Sequence, residues 1–420
     1  MIKKSSKIYI AGHNGLVGSA IVRKLKKKGY TKILTVNKKK LDLTNQLNVL
    51  KFLKKNKPDF IFLAAAKVGG IHSNNLYKAE YLYENLAIQS NVINGAYLSG
   101  IKNLIFLGSS CIYPKNCKQP IKESYLLTGE LEPTNDAYAL AKIAGIKMCE
   151  SYNLQYKTNY KCLMPTNTFG PNDNYDELNS HFFPALIRKI DKLKDSKENC
   201  LILWGNGKAK REVIHVDDIA DACIYFMNKK KKPNLINIGT GKDYTIEHYA
   251  QLIAKIILPK KKIIIKYDSS KPNGIRRKVM DVDLARKYGW KYKISLKKAI
   301  LSTYHSYKIE NKKIKNCFYE SSVLVLPSYG EGLPKVALEA AATGMPLIVS
   351  DTRGARDCVI EGKNGFYTKI KDTDDLKNIM EKFILERKKL GAFGKFSSSL
   401  VAQKFSLPII AKKFLMLMKD

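Results

Sequence analysis

The chain has 420 residues and 45% hydrophobic content, an ordinary composition for a globular protein of two or three domains. No apolar run approaches the roughly 20 residues that span a bilayer, and no apolar stretch long enough for a secretory signal follows the basic Met1–Lys7 segment, so a cytoplasmic protein without a membrane span is expected. The net charge is +37, but the lysine runs at 26–28, 38–40, 229–232 and 260–262 fall at helix ends or in loops without interleaved aromatics; they read as solvated surface and not as a nucleic-acid module, while still drawing in a polyanionic small molecule.

Lys7-Ile8-Tyr9-Ile10-Ala11 reads as a buried strand, Gly12-His13-Asn14-Gly15-Leu16-Val17-Gly18 as a glycine turn, and Ser19–Leu25 as a helix closed by Gly29. Strand, glycine turn and helix together form a cradle for a pyrophosphate at the helix N-terminus. A second strand is expected over Ile33-Leu34-Thr35-Val36. Where an acid would bind a ribose 2′-hydroxyl, the chain instead has Asn37-Lys38-Lys39-Lys40, which suits a 2′-phosphate and favours NADP(H), with Lys38 first in line. Apolar strands follow at 60–63 and 104–107, and another over 160–164. The alternation with helices implies a Rossmann-type doubly wound parallel α/β sheet, with ligands beyond the carboxyl ends of its strands. Gly12, Ser109 and Pro165 all follow strand ends and so share one rim.

Tyr138 and Lys142 are four residues apart on one helix face. A neighbouring ammonium favours the phenolate, so a Tyr138 pKa below about 10 is expected. With the Ser109 hydroxyl holding a carbonyl oxygen, this makes a proton donor and acceptor for a ketone that gains or loses hydride. The eight cysteines form no C-x-x-C pair and have no histidines at metal spacing, which points to reduced thiols and no metal site.

The stretches 11–20, Ala64-Ala65-Ala66-Lys67-Val68-Gly69-Gly70-Ile71, 107–114, Glu132-Pro133-Thr134-Asn135, 141–145, 164–167, Asn179-Ser180-His181 and His215-Val216-Asp217-Asp218 resemble the extended short-chain dehydrogenase/reductases that act on nucleotide sugars. The resemblance spans about residues 5–308. It is closest to members that take GDP-4-keto-6-deoxy-D-mannose, epimerise it at C3 and C5 and reduce it at C4 with NADPH, and it implies a homodimer. By this resemblance Ser109, Tyr138 and Lys142 form the reductase set, and Cys111 and His181 move protons at C3 and C5. A 4-keto group acidifies both neighbouring carbons, and a thiol and an imidazole titrate near enough to neutral to serve them. The resemblance also assigns Gly12–Gly18, Lys38, Leu107, Gly108, Ser109, Ser110, Lys142, Pro165, Thr166, Asn167, Thr168 and His181 to the cofactor. It assigns Lys189, Trp204, Arg211 and Asn273 to the substrate. Lys189 stands where relatives commonly have arginine and Asn273 where aspartate is common, and a lysine lacks the bidentate fork. No carboxylate follows the catalytic serine region, unlike in the sugar 4,6-dehydratases.

The expected organisation is an epimerase/reductase domain over 1–308, with a nucleotide-binding core of about 1–170 and a smaller α/β substrate region mostly over 171–308. A junction follows at 309–313. Residues 314–420 resemble the C-terminal half of a retaining GT-B glycosyltransferase: Glu331 and Glu339 match its E-x7-E pair, within Ser328-Tyr329-Gly330-Glu331-Gly332-Leu333-Pro334 and Leu338-Glu339-Ala340. Such an enzyme needs two Rossmann-like domains about one cleft, so a partial Rossmann-like remnant with loosely packed strands, and no glycosyl transfer, is expected.

Overall fold

The computed structural model describes residues 2–176, 180–194, 196–229, 234–270, 275–330, 332–406 and 408–410. The first half builds a nucleotide-type sheet from β1 (Ile8–Ala11), α1 (Leu16–Lys27), β2 (Ile33–Leu34), α2 (Gln46–Asn56), β3 (Phe60–Leu63), α3 (Ile71–Leu76), α4 (Lys78–Leu98), β4 (Asn103–Leu107), α5 (Asp136–Tyr156) and β5 (Asn159–Pro165). The substrate side follows: β6 (Asn167–Phe169), α6 (Phe182–Lys192), β7 (Cys200–Trp204), β8 (Lys210–His215), α7 (Val216–Met227), β9 (Leu235–Ile238), β10 (Asp243–Thr245), α8 (Ile246–Ile257), β11 (Ile264–Asp268), β12 (Arg277–Lys278), α9 (Asp283–Lys287) and α10 (Leu296–Glu320).

The main sheet has the order β2-β1-β3-β4-β5-β9, and every pairing in it is parallel. Side chains alternate across a strand, and the burial follows. Ile8, Ile10, Phe60, Phe62 and Ile105 pack with α1 and α7 on one face, while Tyr9, Ile61, Leu63 and Phe106 pack with α2, α4 and α5 on the other. Burial on both faces is what the uninterrupted apolar runs encode. The edge strand β2 stops at Leu34, two residues short of expectation: Thr35 and Asn37 are exposed, and β1 is the neighbour it pairs with.

On the substrate side β8 pairs antiparallel with β10 and parallel with β12 and β6, and β7 pairs with β11. Glu212, fully buried on β8, ties three segments together. Its Oε1 accepts from Thr240 N at 2.5 Å and Gly241 N at 2.7 Å, and its Oε2 accepts from Met280 N at 2.8 Å. Burial pushes this carboxyl above its usual range, against the pull of the three N–H donors.

The chain divides into two units, Met1–Tyr307 and Lys308–Asp420. The division falls inside α10, which continues as helix through 309–313. The second unit adds β13 (Leu324–Leu326), α11 (Lys335–Ala342), β14 (Leu347–Ser350), β15 (Gly365–Thr368), α12 (Thr373–Leu385) and α13 (Leu390–Lys404) in a parallel sheet of order β13-β14-β15. Its strands are not loosely packed: Ala337, Ala340, Ala341, Leu347 and Val349 are fully buried on one side, and Ile348, Phe366, Phe383 and Phe393 form the core of the other. Among the described residues no helix is long and apolar enough to cross a membrane.

Replacing Glu212 by alanine leaves three N–H donors, that of Met280 fully buried, without their acceptor and should cost about 3 kcal/mol of stability. Urea titration of the first unit's transition is the check, and a loss under about 1 kcal/mol would contradict the stapling role.

Candidate active site

Gly12 carries the chain out of β1 with φ of +85°, and a Cβ there would sit 2.6 Å from Ala65 N at the end of β3. A Cβ on Gly18 would overlap the Gly12 carbonyl, so α1 can start this close to the turn only with glycine. Gly15 caps α1 in an extended conformation, and no side chain takes up the helix's first N–H groups. Leu16 and Val17 therefore present backbone donors at a positive helix end. This cradle fits a dinucleotide pyrophosphate. Asn172 Nδ2 donates to Asn14 O at 2.6 Å and fixes the turn from the far side. Lys38, at the end of β2, is 74% exposed and lies 3.9 Å from Glu84. On the same rim Gly108 N donates to Leu163 O at 3.0 Å. The Pro165–Thr168 loop is held by Thr166 N on Ile238 O at 3.0 Å and Asn167 Nδ2 on Glu212 O at 2.8 Å.

Ser109, two residues past the end of β4, caps a short 3-10 turn, its Oγ accepting from Cys111 N at 3.2 Å. Lys142 is buried, donates to Leu107 O at 2.9 Å and lies 5.8 Å from the centre of the Tyr138 ring. The spacing does bring the two side chains to one place, but the expected pKa shift of the tyrosine is reversed. Burial raises Tyr138, the charge of Cys111 adds to this, and the hydrogen bond to Ser109 opposes it. Burial likewise lowers Lys142 to about 8. Desolvation disfavours the charged form of each group, and it is the largest cause of both shifts.

Cys111 is half-buried, so it is not an inert core thiol. Lys278 Nζ, on β12, donates to its Sγ at 3.6 Å. The crowding around His181, then the charge of Lys278, hold that imidazole below its usual range, although the ring keeps exposed surface. Lys278 thus faces both members of the expected proton-transfer pair. It also pairs in register with Arg211, whose Nη1 donates to Ile275 O at 2.5 Å. His181 caps α6, and Lys189 lies two turns further on, 5.9 Å from the ring centre of Trp204. Trp204 is 42% exposed, which excludes a packed core tryptophan. Asn273 and Glu331 lie outside the described residues. Glu339 is exposed on α11 and pairs with Lys335 at 3.7 Å. The His215-Val216-Asp217-Asp218 stretch is structural: His215 Nδ1 accepts from Asp217 N at 3.2 Å, and Asp218 accepts from Lys293 N and Ile294 N.

Sequence reasoning did not single out Lys278, Glu84 or Glu212. Lys278 is one of many lysines, and only the two-residue pairing of β12 on β8 brings it to Cys111.

A parallel sheet with a glycine cradle and a serine, tyrosine and lysine on the same rim defines a nucleotide-dependent enzyme acting on a carbonyl carbon. The chain belongs to the NAD dependent epimerase/dehydratase family, whose model matches residues 8–239. It is 49% identical over 311 residues to a putative GDP-L-fucose synthase 2 of Arabidopsis thaliana, covering 74% of this chain and 94% of the relative. It is 45% identical over 315 residues to the GDP-L-fucose synthase of Escherichia coli K12, covering 73% and 97%. A GDP-mannoheptose C4 reductase from Campylobacter jejuni, solved with NADP bound, matches with a TM-score of 0.67 at 38% identity, over 73% of this chain and 100% of that one. Residues 291–398 match the glycosyl transferases group 1 family.

With Lys142 near 8, its ammonium is present below that pH and lost above it. If reduction needs the charged form, kcat/KM for ketone reduction should turn down near pH 8 and fall about tenfold per unit beyond it. A flat profile to pH 9.5 would contradict this.

Proposed function

We propose that the chain is a GDP-L-fucose synthase: it inverts C3 and C5 of GDP-4-keto-6-deoxy-D-mannose and then reduces the C4 ketone with NADPH. The observation that carries this reading is the meeting of two kinds of chemistry at one strand end. The Tyr138–Lys142 set sits beside Ser109, and Cys111, two residues on, shares Lys278 with His181. A simple ketone reductase needs only the first set. Double inversion needs a second, with one group removing a proton and another returning it on the opposite face. The curated relatives with this name support the choice of substrate.

In this mechanism Ser109 Oγ donates to the C4 oxygen and holds the charge that develops there each time a neighbouring carbon loses its proton. Cys111 and His181 exchange protons with C3 and C5 from opposite sides of the ring. NADPH, when bound, supplies the hydride to C4. Tyr138 then gives its proton to the C4 oxygen, and the Lys142 ammonium stabilises the phenolate left behind. The high Tyr138 pKa makes it a reluctant acid until that ammonium and a developing alkoxide face it. The Gly12–Gly18 turn, the Leu107–Ser110 and Pro165–Thr168 loops and Lys38 hold the cofactor, and His181 borders it. Arg211, Lys189, Trp204 and Asn273 hold the GDP portion, with the Arg211 fork on the diphosphate.

The active form is a homodimer, formed through the outer face of α4 and α5. That face exposes Tyr83 and Leu154, both at 68%, together with Leu98 and Leu140, a run of apolar side chains that a lone subunit would leave in water. Introducing glutamate at Tyr83 and Leu154 together should shift the species seen by light scattering from two chains to one. A wild-type protein that is already monomeric at micromolar concentration would overturn the dimer.

The decisive assay supplies GDP-4-keto-6-deoxy-D-mannose and NADPH and follows absorbance at the nicotinamide band together with product stereochemistry. GDP-L-fucose is the expected product, and the absence of NADPH oxidation would sink the reading. Cys111→Ser should slow epimerisation by about 10²–10⁴-fold while sparing much of the direct C4 reduction. Equal loss of both would remove Cys111 from proton transfer.

A further inference from the structure

One carboxylate near the expected cofactor rim has no part in the chemistry above. Glu84, on α4, bridges the loops that follow β2 and β3. Its Oε1 accepts from Lys67 Nζ at 2.6 Å, and its Oε2 lies 3.9 Å from Lys38 Nζ. The two lysines are held very differently. Asn85 grips the backbone of Lys67 on both sides, its Oδ1 accepting from Lys67 N and its Nδ2 donating to Lys67 O, each at 3.0 Å. The hydrogen bond to Glu84 is also the main cause holding the Lys67 ammonium above its usual range. Lys38 sits on an exposed turn closed by Lys40 N on Asn37 O at 3.1 Å, and a pair that long and that exposed contributes little. Glu84 is therefore fixed to Lys67, whereas Lys38 can turn toward a ligand.

We propose that Glu84 is a specificity-determining residue for the cofactor's ribose: its fixed negative charge opposes a phosphate on the 2′-oxygen and so limits the preference for the 2′-phosphorylated dinucleotide. The inference rests on the reading of Lys38 as the phosphate's partner. With Lys38 Nζ where it stands, 3.9 Å from Glu84 Oε2, a phosphate oxygen bonded to it at about 2.8 Å lies within about 7 Å of that oxygen, inside one Debye length at physiological salt. A phosphate monoester carries about −1.5 to −2 charges at pH 7 and is repelled, whereas a 2′-hydroxyl is neutral and is not. Lys67, paired with Glu84 at 2.6 Å, offsets part of this charge. Lys38 carries the attraction and Glu84 sets its limit.

Glu84→Gln keeps an amide oxygen for Lys67 and removes the charge. Calorimetric titration of the full chain with adenosine 2′,5′-bisphosphate and with ADP reads the effect without turnover. The expected result is bisphosphate binding tightened roughly three- to tenfold, more at low salt than at high, with ADP affinity unchanged within about twofold. Lys38→Met should weaken the bisphosphate alone. If Lys38→Met weakens it but Glu84→Gln leaves it unchanged, weakens it, or tightens ADP equally, the role of Glu84 is overturned. If Lys38→Met has no effect on the bisphosphate, the assignment of Lys38 fails and this inference fails with it.

Discussion

The site depends on how closely α5 lies on β4. Gly145 allows the approach: a Cβ there would meet Phe106 Cζ at 2.5 Å and Gln89 Oε1 at 2.8 Å, so no larger residue lets the helix settle on the strand. Gln89 Nε2 donates to Ala141 O and pins the same contact from α4. Three residues before Gly145, on the same helix face, Lys142 reaches the last carbonyl of β4, and its ammonium lies 4.8 Å from the centre of the Phe106 ring. Ser109 follows two residues after that carbonyl. Helix-to-strand packing thus fixes the distance between the ammonium, the phenol and the serine hydroxyl before any ligand arrives.

Close packing has an electrostatic consequence. Shutting water out of the Tyr138–Lys142 pair raises one pKa and lowers the other, which drives apart two groups whose ordinary values of 10.0 and 10.5 nearly coincide. Burial that disfavours both charges singly therefore keeps the proton on the phenol, where it is available to a group that gains negative charge beside it. Tyr81 completes the wall. Its ring meets that of Tyr138 edge-on at 6.4 Å, and its hydroxyl is bonded to Ser73 at 2.8 Å, beside Gly69 where a Cβ would collide with it. The Lys67-Val68-Gly69-Gly70 loop is thereby coupled to Tyr138 through packing.

Much of this frame was legible in the sequence. Strand, glycine turn and helix can be read from local composition, and β1, β3, β4 and β5 stand out because fully buried parallel strands are apolar without alternation. The i, i+4 spacing placed Tyr138 and Lys142 on one face, but it carried no information about water, and the direction of the tyrosine shift was misjudged because desolvation depends on what packs around a pair. Glu84 and Lys278 were illegible for a different reason. Each is a common charged residue whose importance comes from a partner 17 or 167 positions away. The end of β2 was overestimated because β-branched Thr35 and Val36 read as strand, whereas an edge strand stops where its one neighbour stops pairing.

Lys278 also constrains how Cys111 and His181 can share their work. Burial first, and then the Lys278 ammonium, disfavour an imidazolium at His181, which in the proposed mechanism suits a ring that accepts a proton. The same ammonium donates toward the sulfur, where it can follow the charge whenever the thiol gives up its proton. Arg211, opposite Lys278 in the register, is the second cation of this pairing and the one the proposed mechanism sets on the diphosphate. In the proposed mechanism this one short strand pairing serves both ends of a nucleotide sugar, with Arg211 at its charge and Lys278 beside Cys111 and His181. Glu212 holds both flanks of that pairing, because it is part of β8 and binds Met280 just beyond β12. A buried carboxylate thus helps hold together the two strands that carry Arg211 and Lys278.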